Sequence, residues 1–192
     1  NSGRAYVYDW NADVWTHTEL FPPEGFVAGK RWGEGIDSDG TVTAVTDGSG
    51  SITVPNLKIF RKSGAWSHEA SLAPLVEPGF GQSYFSGFVS VANGVVLAQC
   101  EFPKRLLVIE HIMGNWVQTP LPVAPEIPFG GYSGLRLDTD GRSFVANDQG
   151  GRFILYQRDP LAADWSGAAV TRRVLPTGGM FGGSQLLCTD FS

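Results

Sequence analysis

The chain alternates short apolar runs with polar turns from its first residues onward. Residues 4–20 read RAYVYDWNADVWTHTEL, an alternating run, a polar turn and a second run that contains a tryptophan. The same arrangement returns as LKIFRKSGAWSHEASL, RLLVIEHIMGNWVQTPL and RFILYQRDPLAADWSGAAVTRRVL. Apolar alternation between turn residues is typical of paired antiparallel strands, so each copy predicts one hairpin.

A tryptophan marks the second half of each hairpin at a nearly constant interval. The four are spaced 51, 50 and 49 residues apart: Trp15, Trp66, Trp116 and Trp165. A lone four-stranded sheet cannot bury both of its faces, whereas stacked neighbours can. We therefore expect these large indole rings to pack between successive sheets.

A second signature alternates with the tryptophan hairpins. The segments WGEGIDSDGTVTAV, FSGFVSVANGVVLAQ and YSGLRLDTDGRSFVAN each carry an Asp-Gly or Asn-Gly pair, at Asp39-Gly40, Asn93-Gly94 and Asp140-Gly141. These pairs tolerate the positive φ angles of a two-residue hairpin turn. An aromatic-glycine entry recurs at residues 181–183.

Two hairpins for every period of about fifty residues predict an all-β chain built as a β-propeller of four-stranded antiparallel blades. Residues 1–192 then form one domain or propeller segment. Its repeats are 1–31 (partial), 32–84, 85–131, 132–180 and 181–192 (partial). The blades form either a small four-bladed ring with one incomplete blade or part of a larger ring. We favour the larger ring because the chain has no starting methionine.

Composition narrows the classes of partner. The net charge of −5 and the pI near 5.1 argue against nucleic acid, because binding phosphates requires a basic surface. No apolar run reaches 18 residues, so membrane insertion is not expected. Cys100 and Cys188 do not make a disulfide framework, and they are either bonded to each other or two small buried residues.

The sequence resembles the FG-GAP repeat proteins, the propeller family that includes the heads of integrin α-subunits. Its closest segments are SGRAYVYDWNADVWTHTEL and FGGYSGLRLDTDGRSFVAN. The resemblance covers nearly the whole chain through a recurring period and loose motifs. It implies a propeller with an adhesion-like binding role at the outside of a cell.

Calcium-binding members of that family carry an aspartate-rich loop, and this chain retains little of it. Only Asp37 with Asp39 and Asp138 with Asp140 remain as candidate ligands. Calcium takes about six to eight oxygen ligands, which two aspartates on a tight hairpin do not supply alone. We expect these residues to serve the turns, with no cofactor, and keep a calcium site as the alternative.

The sequence contains no recognisable catalytic constellation. Nucleophilic catalysis requires a serine or cysteine held by a histidine. The three histidines, His17, His68 and His111, fall in separate repeats, where we expect half-exposed outer positions. No nucleophile elbow, P-loop or H-E-x-x-H motif occurs, so we expect a protein that is not an enzyme.

The loops between repeats are rich in aromatic residues, glycine and proline. Loops at a propeller rim carry recognition while the sheets stay rigid. The candidate ligand-binding residues are Phe26, Trp32, Phe80, Tyr84, Phe129 and Tyr132. The alternative is that these rings fill the space between blades.

These observations favour a recognition module that binds a protein or a glycan through its rim loops. We expect it at the cell surface, at the virion surface or outside the cell. The alternative function is a structural subunit of a virion, filament or surface assembly, in which the aromatic loops contact other subunits.

The calcium alternative has a direct test. We expect the melting midpoint of the protein to be the same in EDTA and in excess calcium, because ligand binding to the folded state alone would raise it. A midpoint that rises with calcium would contradict our assignment of the aspartates to turn chemistry.

Overall fold

The computed structural model describes residues 3–26, 30–48, 56–75, 83–101, 104–121, 132–137, 141–148, 153–162, 165 and 170–175. These residues contain strands and turns without a helix. The strands are β1 (Ala5–Asn11), β2 (Val14–Leu20), β3 (Gly35–Ser38), β4 (Val42–Thr46), β5 (Leu57–Ser63), β6 (Ala65–Leu72), β7 (Tyr84–Ala92), β8 (Val95–Glu101), β9 (Arg105–Ile112), β10 (Asn115–Pro120), β11 (Tyr132–Leu137), β12 (Ser143–Asp148), β13 (Phe153–Arg158) and β14 (Val170–Leu175).

The strands form four antiparallel sheets in chain order. Strands β1 and β2 form a two-stranded hairpin sheet, and the second, third and fourth sheets contain β3–β6, β7–β10 and β11–β14. Within each four-stranded sheet every strand pairs with its neighbour in sequence. The prediction of an all-β chain with four-stranded antiparallel sheets is confirmed.

The Asx-Gly pairs connect the first two strands of their sheets, although not always by the same turn. Asn93 and Gly94 have φ angles of +49° and +74°, and Ala92 pairs directly with Val95, as a two-residue turn requires. Between β3 and β4, Ser38 pairs with Thr43 and the Asp39 amide donates to the Val42 carbonyl oxygen (3.1 Å), so the two-residue turn is Gly40-Thr41, one position later than the predicted Asp39-Gly40 pair. Asp39 has a structural role at this turn, described below. Asp140 lies outside the described residues.

Each sheet packs face to face against the next sheet in the chain. One apolar cluster joins the hairpin sheet to the second sheet and contains Ala5, Val7, Leu20, Trp32, Val45 and Phe60. A second cluster joins strands β4 and β5 to strands β7, β8 and β9. A third joins the third sheet to Phe144, Ala146, Ile154 and Tyr156 of the fourth. Burial of both faces of each middle sheet therefore links the four sheets in a row.

Three of the four repeated tryptophans lie at these junctions, as the sequence predicts. Trp66 and Trp116 pack half-buried against the first and second clusters, and Trp165 is fully buried in the third. Trp15 differs, because 64% of its surface is exposed on the hairpin sheet. Among the described residues, no sheet precedes the hairpin sheet to cover that ring.

Neighbouring sheets approach most closely through their first strands, β3 with β7 and β7 with β11. A buried asparagine adds a polar link beside this contact. The Asn56 side chain donates to the carbonyl oxygen of Phe85 (2.7 Å) and accepts from the Phe85 amide (2.9 Å). One side chain thus satisfies both main-chain groups of a residue on the neighbouring sheet.

We expect Asn56→Ala to lower the free energy of unfolding by about 2–4 kcal/mol, because it leaves the buried amide and carbonyl of Phe85 unsatisfied. Urea unfolding followed by circular dichroism measures the change. The matched control is Asn115→Ala, at the exposed first residue of β10, which should change stability by less than about 0.5 kcal/mol. Equal effects at both positions would contradict the role of Asn56.

Candidate functional site

A shallow cleft, whose enclosed space of about 10 Å³ holds roughly one water molecule, lies where the hairpin sheet meets the second sheet. Its lining combines aromatic, glycine and charged residues: Pro22, Glu24, Gly25, Phe26, Lys30, Trp32 and Asp47. Most of them belong to the connection between β2 and β3. The candidate site is therefore built on a loop that two rigid sheets hold at both ends.

The outer lip of the cleft is aromatic. A turn closed by a hydrogen bond from the Gly25 amide to the Pro22 carbonyl (2.9 Å) reverses the chain there, and Gly25 has a φ of +79° that favours glycine. Phe21 and Phe26 contact edge to face at 5.7 Å between ring centroids, and both are exposed. The Arg4 guanidinium lies 5.9 Å from the Phe26 centroid. These contacts hold Phe26 at the mouth of the cleft.

Three charged lining residues, Glu24, Lys30 and Asp47, belong to a network of four charged side chains that Lys58 completes. Lys58 is almost fully buried and binds Glu24 at 2.9 Å. Lys30 binds Asp47, itself almost fully buried, at 3.0 Å and lies 3.9 Å from Glu24. The two positive and two negative charges balance, which is the condition under which buried ions are tolerated.

Trp32 forms the floor of the cleft rather than an exposed binding surface. Only 3% of its surface is accessible, and its indole Nε1 donates to the Leu20 carbonyl at 2.9 Å. Its ring meets Phe60 edge to face. Trp32 therefore ties the loop to both sheets, in the space-filling role that the sequence left as an alternative.

The structure brings two of the six aromatic candidates together. Phe26 and Trp32 line the same cleft. Tyr84 begins β7 on the third sheet, is partly buried and does not line the cleft. Phe80 and Phe129 lie outside the described residues. Tyr132 begins β11, and only its backbone is described.

The sequence analysis did not identify the charged residues of the site. The signal for Lys58 was present, because a lysine in the otherwise apolar run LKIF marks a charge within a buried strand. Glu24, Lys30 and Asp47 lie in loops or at a strand end, where charged residues are common and carry no pattern. Only the folded chain brings these four groups together.

The aspartates considered as calcium ligands bind the neighbouring sheet instead. Asp37 Oδ2 accepts from the Val91 amide (2.8 Å) and the Ser90 hydroxyl (3.1 Å) on β7. Asp39 Oδ2 accepts from the Gly94 amide at 2.6 Å, in the turn of the third sheet. These bonds link the turns of two sheets, which supports a structural role for both carboxylates. Asp138 and Asp140 lie outside the described residues.

Asp39 also closes its own turn. Its Oδ1 accepts from the Thr41 amide and hydroxyl, both at 2.8 Å, and from the Val42 amide at 2.7 Å. Partial burial raises the pKa of Asp39, but the hydrogen bonds from Val42, Gly94 and Thr41 outweigh it and hold the pKa below the ordinary value. This carboxylate therefore organises the β3–β4 turn.

The three histidines do not converge on one centre. His17, His68 and His111 lie on β2, β6 and β9 of three different sheets, and all are exposed. Within the described residues, no group of three or more His, Cys, Asp or Glu side chains is placed to hold a metal ion. Cys100 is a buried thiol, and burial raises its pKa. Cys188 lies outside the described residues.

No family model matches the sequence, and no curated protein is significantly similar to it. Across the part of the chain that the structure describes, no helix is long and apolar enough to cross a membrane. The cleft and the surfaces of the sheets are therefore the features that bear on function.

We expect Asp39→Asn to lower the free energy of unfolding at pH 7 by about 1–3 kcal/mol, because the new amide group meets the Gly94 N–H. A folded-state pKa below the unfolded value gives stability that is present above about pH 4 and is lost as the pH falls through the folded pKa. The variant should therefore show a weaker loss of stability in acid than the wild type.

Urea unfolding between pH 7 and pH 2 measures both effects of this substitution. The matched control is Asp13→Asn, at an exposed turn residue, which should retain the acid dependence of the wild type. An Asp39 variant with an unchanged acid dependence would show that its carboxylate does not carry this part of the stability.

Proposed function

We propose that this protein is a non-catalytic recognition module that binds a glycan or protein ligand through a rim loop. The observation that carries the proposal is the cleft between the hairpin sheet and the second sheet, where exposed Phe26 adjoins the charged groups of Glu24 and Lys30. A concave site with one apolar ring and a few fixed polar groups is the usual form of a ligand site.

The scaffold we propose for this site is a β-propeller. Two observations support it: successive four-stranded sheets pack face to face in chain order, and they approach most closely through their first strands. In a propeller the first strands surround the axis and the last strands lie outside. The FG-GAP resemblance of the sequence fits this arrangement and is part of the proposal.

The chemistry of the cleft favours a glycan over a peptide. A sugar offers an apolar face of C–H groups to an aromatic ring and hydroxyl groups to carboxylates and ammonium groups. Phe26 supplies the ring, and Glu24 and Lys30 keep part of their side chains accessible, at 28% and 14%. A long apolar groove for a peptide is not part of this lining.

We propose an adhesion-like, extracellular role for this module rather than a catalytic role. The charged groups of the cleft pair with one another at 2.9–3.0 Å, so none is poised as a nucleophile with its base. The ion pairs fix the polar groups in place, and a preorganised site loses less free energy on binding.

A second candidate function is a structural subunit of a virion, filament or surface assembly. The observation that favours it is the outer face of the hairpin sheet, where Tyr8, Trp10 and Trp15 are all more than half exposed. Large exposed aromatic patches are typical of surfaces that contact another protein.

We expect Phe26→Ala to weaken glycan binding by about tenfold or more while the melting midpoint stays unchanged, since an exposed ring at the lip contributes to binding more than to folding. A glycan array identifies the ligand, and titration calorimetry with that ligand measures the loss.

The matched control is Phe88→Ala, because Phe88 is exposed to a similar degree on the third sheet. It should bind as the wild type does. An array without any glycan signal, or equal losses from both variants, would contradict glycan recognition at the cleft.

A further inference from the structure

The hairpin sheet presents a continuous exposed row of rings. In its register Tyr8 pairs with His17 and Trp10 pairs with Trp15, so all four side chains lie on one face, which we call the aromatic face. Trp10 and Trp15 contact at 5.2 Å between ring centroids, and Tyr8 contacts His17 at 5.8 Å. The opposite face of the same hairpin is buried against the second sheet.

The other sheets show what this face does elsewhere in the molecule. In each four-stranded sheet a residue near the end of the third strand contacts the repeated tryptophan. Lys62 Nζ lies 5.9 Å from the Trp66 ring centroid, the His111 and Trp116 centroids are 5.2 Å apart, and the Arg158 guanidinium lies 5.7 Å from the Trp165 centroid. Trp10 with Trp15 is the equivalent pair of the hairpin sheet. Each sheet therefore carries one such pair.

In every described junction the preceding sheet contacts this pair through one equivalent residue. Asp9 accepts from Lys62 Nζ (2.7 Å) and from Trp66 Nε1 (3.0 Å). Arg61, the next equivalent, lies 5.6 Å from the Trp116 ring.

Glu110 repeats the arrangement at the third junction, where it accepts from Arg158 Nη1 at 3.0 Å. The three residues share one position, directly before Trp10, Lys62 and His111 in the chain. The same position thus covers the same pair at each of the three junctions.

Among the described residues, the row of sheets leaves one half of this junction open at each end. At one end the Trp10–Trp15 pair faces outward, and both rings are more than half exposed. At the other end Gln157, the equivalent of Asp9, is exposed on the fourth sheet. The two open surfaces are complementary halves of a junction that the molecule already makes three times.

We propose that the aromatic face binds the outer face of the fourth sheet of a second copy of this chain. The fourth sheet of the same copy lies beyond the second and third sheets and leaves the aromatic face exposed. In a second copy, the outer face of the fourth sheet is not kept away from the aromatic face by the intervening second and third sheets. The contact continues the order of packing within the chain, from the outer face of one sheet to the tryptophan face of the next.

The chemistry of the two surfaces fits this contact. On the outer face of the fourth sheet Leu155 pairs with Arg173, and Gln157 lies two residues further along β13. Arg173 is exposed, and a guanidinium binds favourably over tryptophan and tyrosine rings. Arg61 over Trp116 is the example within the chain.

The contact joins two different surfaces, so it is heterologous. Such a contact generates a closed ring when its rotation closes and a filament when it does not. It involves neither Phe26 nor the charged network of the cleft. Self-association and ligand binding at the cleft can therefore fail independently.

The test uses the full chain and measures its mass by sedimentation velocity over a wide concentration range. We expect the wild type to associate as its concentration rises. Two double variants should each raise the dissociation constant by about tenfold or more, Trp10→Ser with Trp15→Ser on the aromatic face and Gln157→Glu with Arg173→Glu on the outer face. Met113→Ser, at a fully exposed turn, is the control and should associate as the wild type does.

A mixture of the two double variants decides whether the contact is heterologous. Each variant keeps one intact surface, so we expect equal amounts to form a dimer of limited size. A wild type that stays monomeric at all concentrations overturns the proposal. This holds both if the aromatic face packs against the fourth sheet of the same copy and if it binds another ligand. Association that survives the outer-face substitutions also overturns it, even where the aromatic-face variant does not fold.

Discussion

Both faces of a small apolar sheet must be covered, and this constraint organises the whole molecule. Strand β4 is buried along its entire length, with Val42 and Ala44 directed to one cluster and Val45 to another. At about 25 cal/mol per Å² of apolar surface, neither face could remain in water without a large loss of stability. The sheets therefore stand in a row, and each junction repeats one packing arrangement.

The polar contacts at the junctions give this packing its register. Apolar faces alone allow two sheets to slide against each other, whereas a hydrogen bond has a narrow range of distance and angle. Asp9, Asp37 and Asp39 each bind donors on the following sheet. They hold the sheets at a defined offset, and Asp9 acts at the junction that also contains the cleft beside Trp32.

The sequence predicted the repeating units well and the site poorly, for a physical reason. Alternation of apolar residues and the tryptophan period are local patterns, and they located the hairpins around Trp66 and Trp116 correctly. Lys58 and Glu24 meet only because the β2–β3 loop lies against strand β5 in the folded chain. The environment of Trp15 differs from that of its equivalents, since burial depends on a neighbour rather than on the residue itself.

The Asn56 side chain joins two sheets by binding only main-chain atoms of the neighbouring sheet. Its amide group contacts the N–H and C=O of residue 85 and leaves the Phe85 side chain to the apolar cluster. This attachment does not depend on which side chain occupies position 85. Evolution can therefore exchange the packing residue at that position for another apolar one while the asparagine keeps the two sheets aligned.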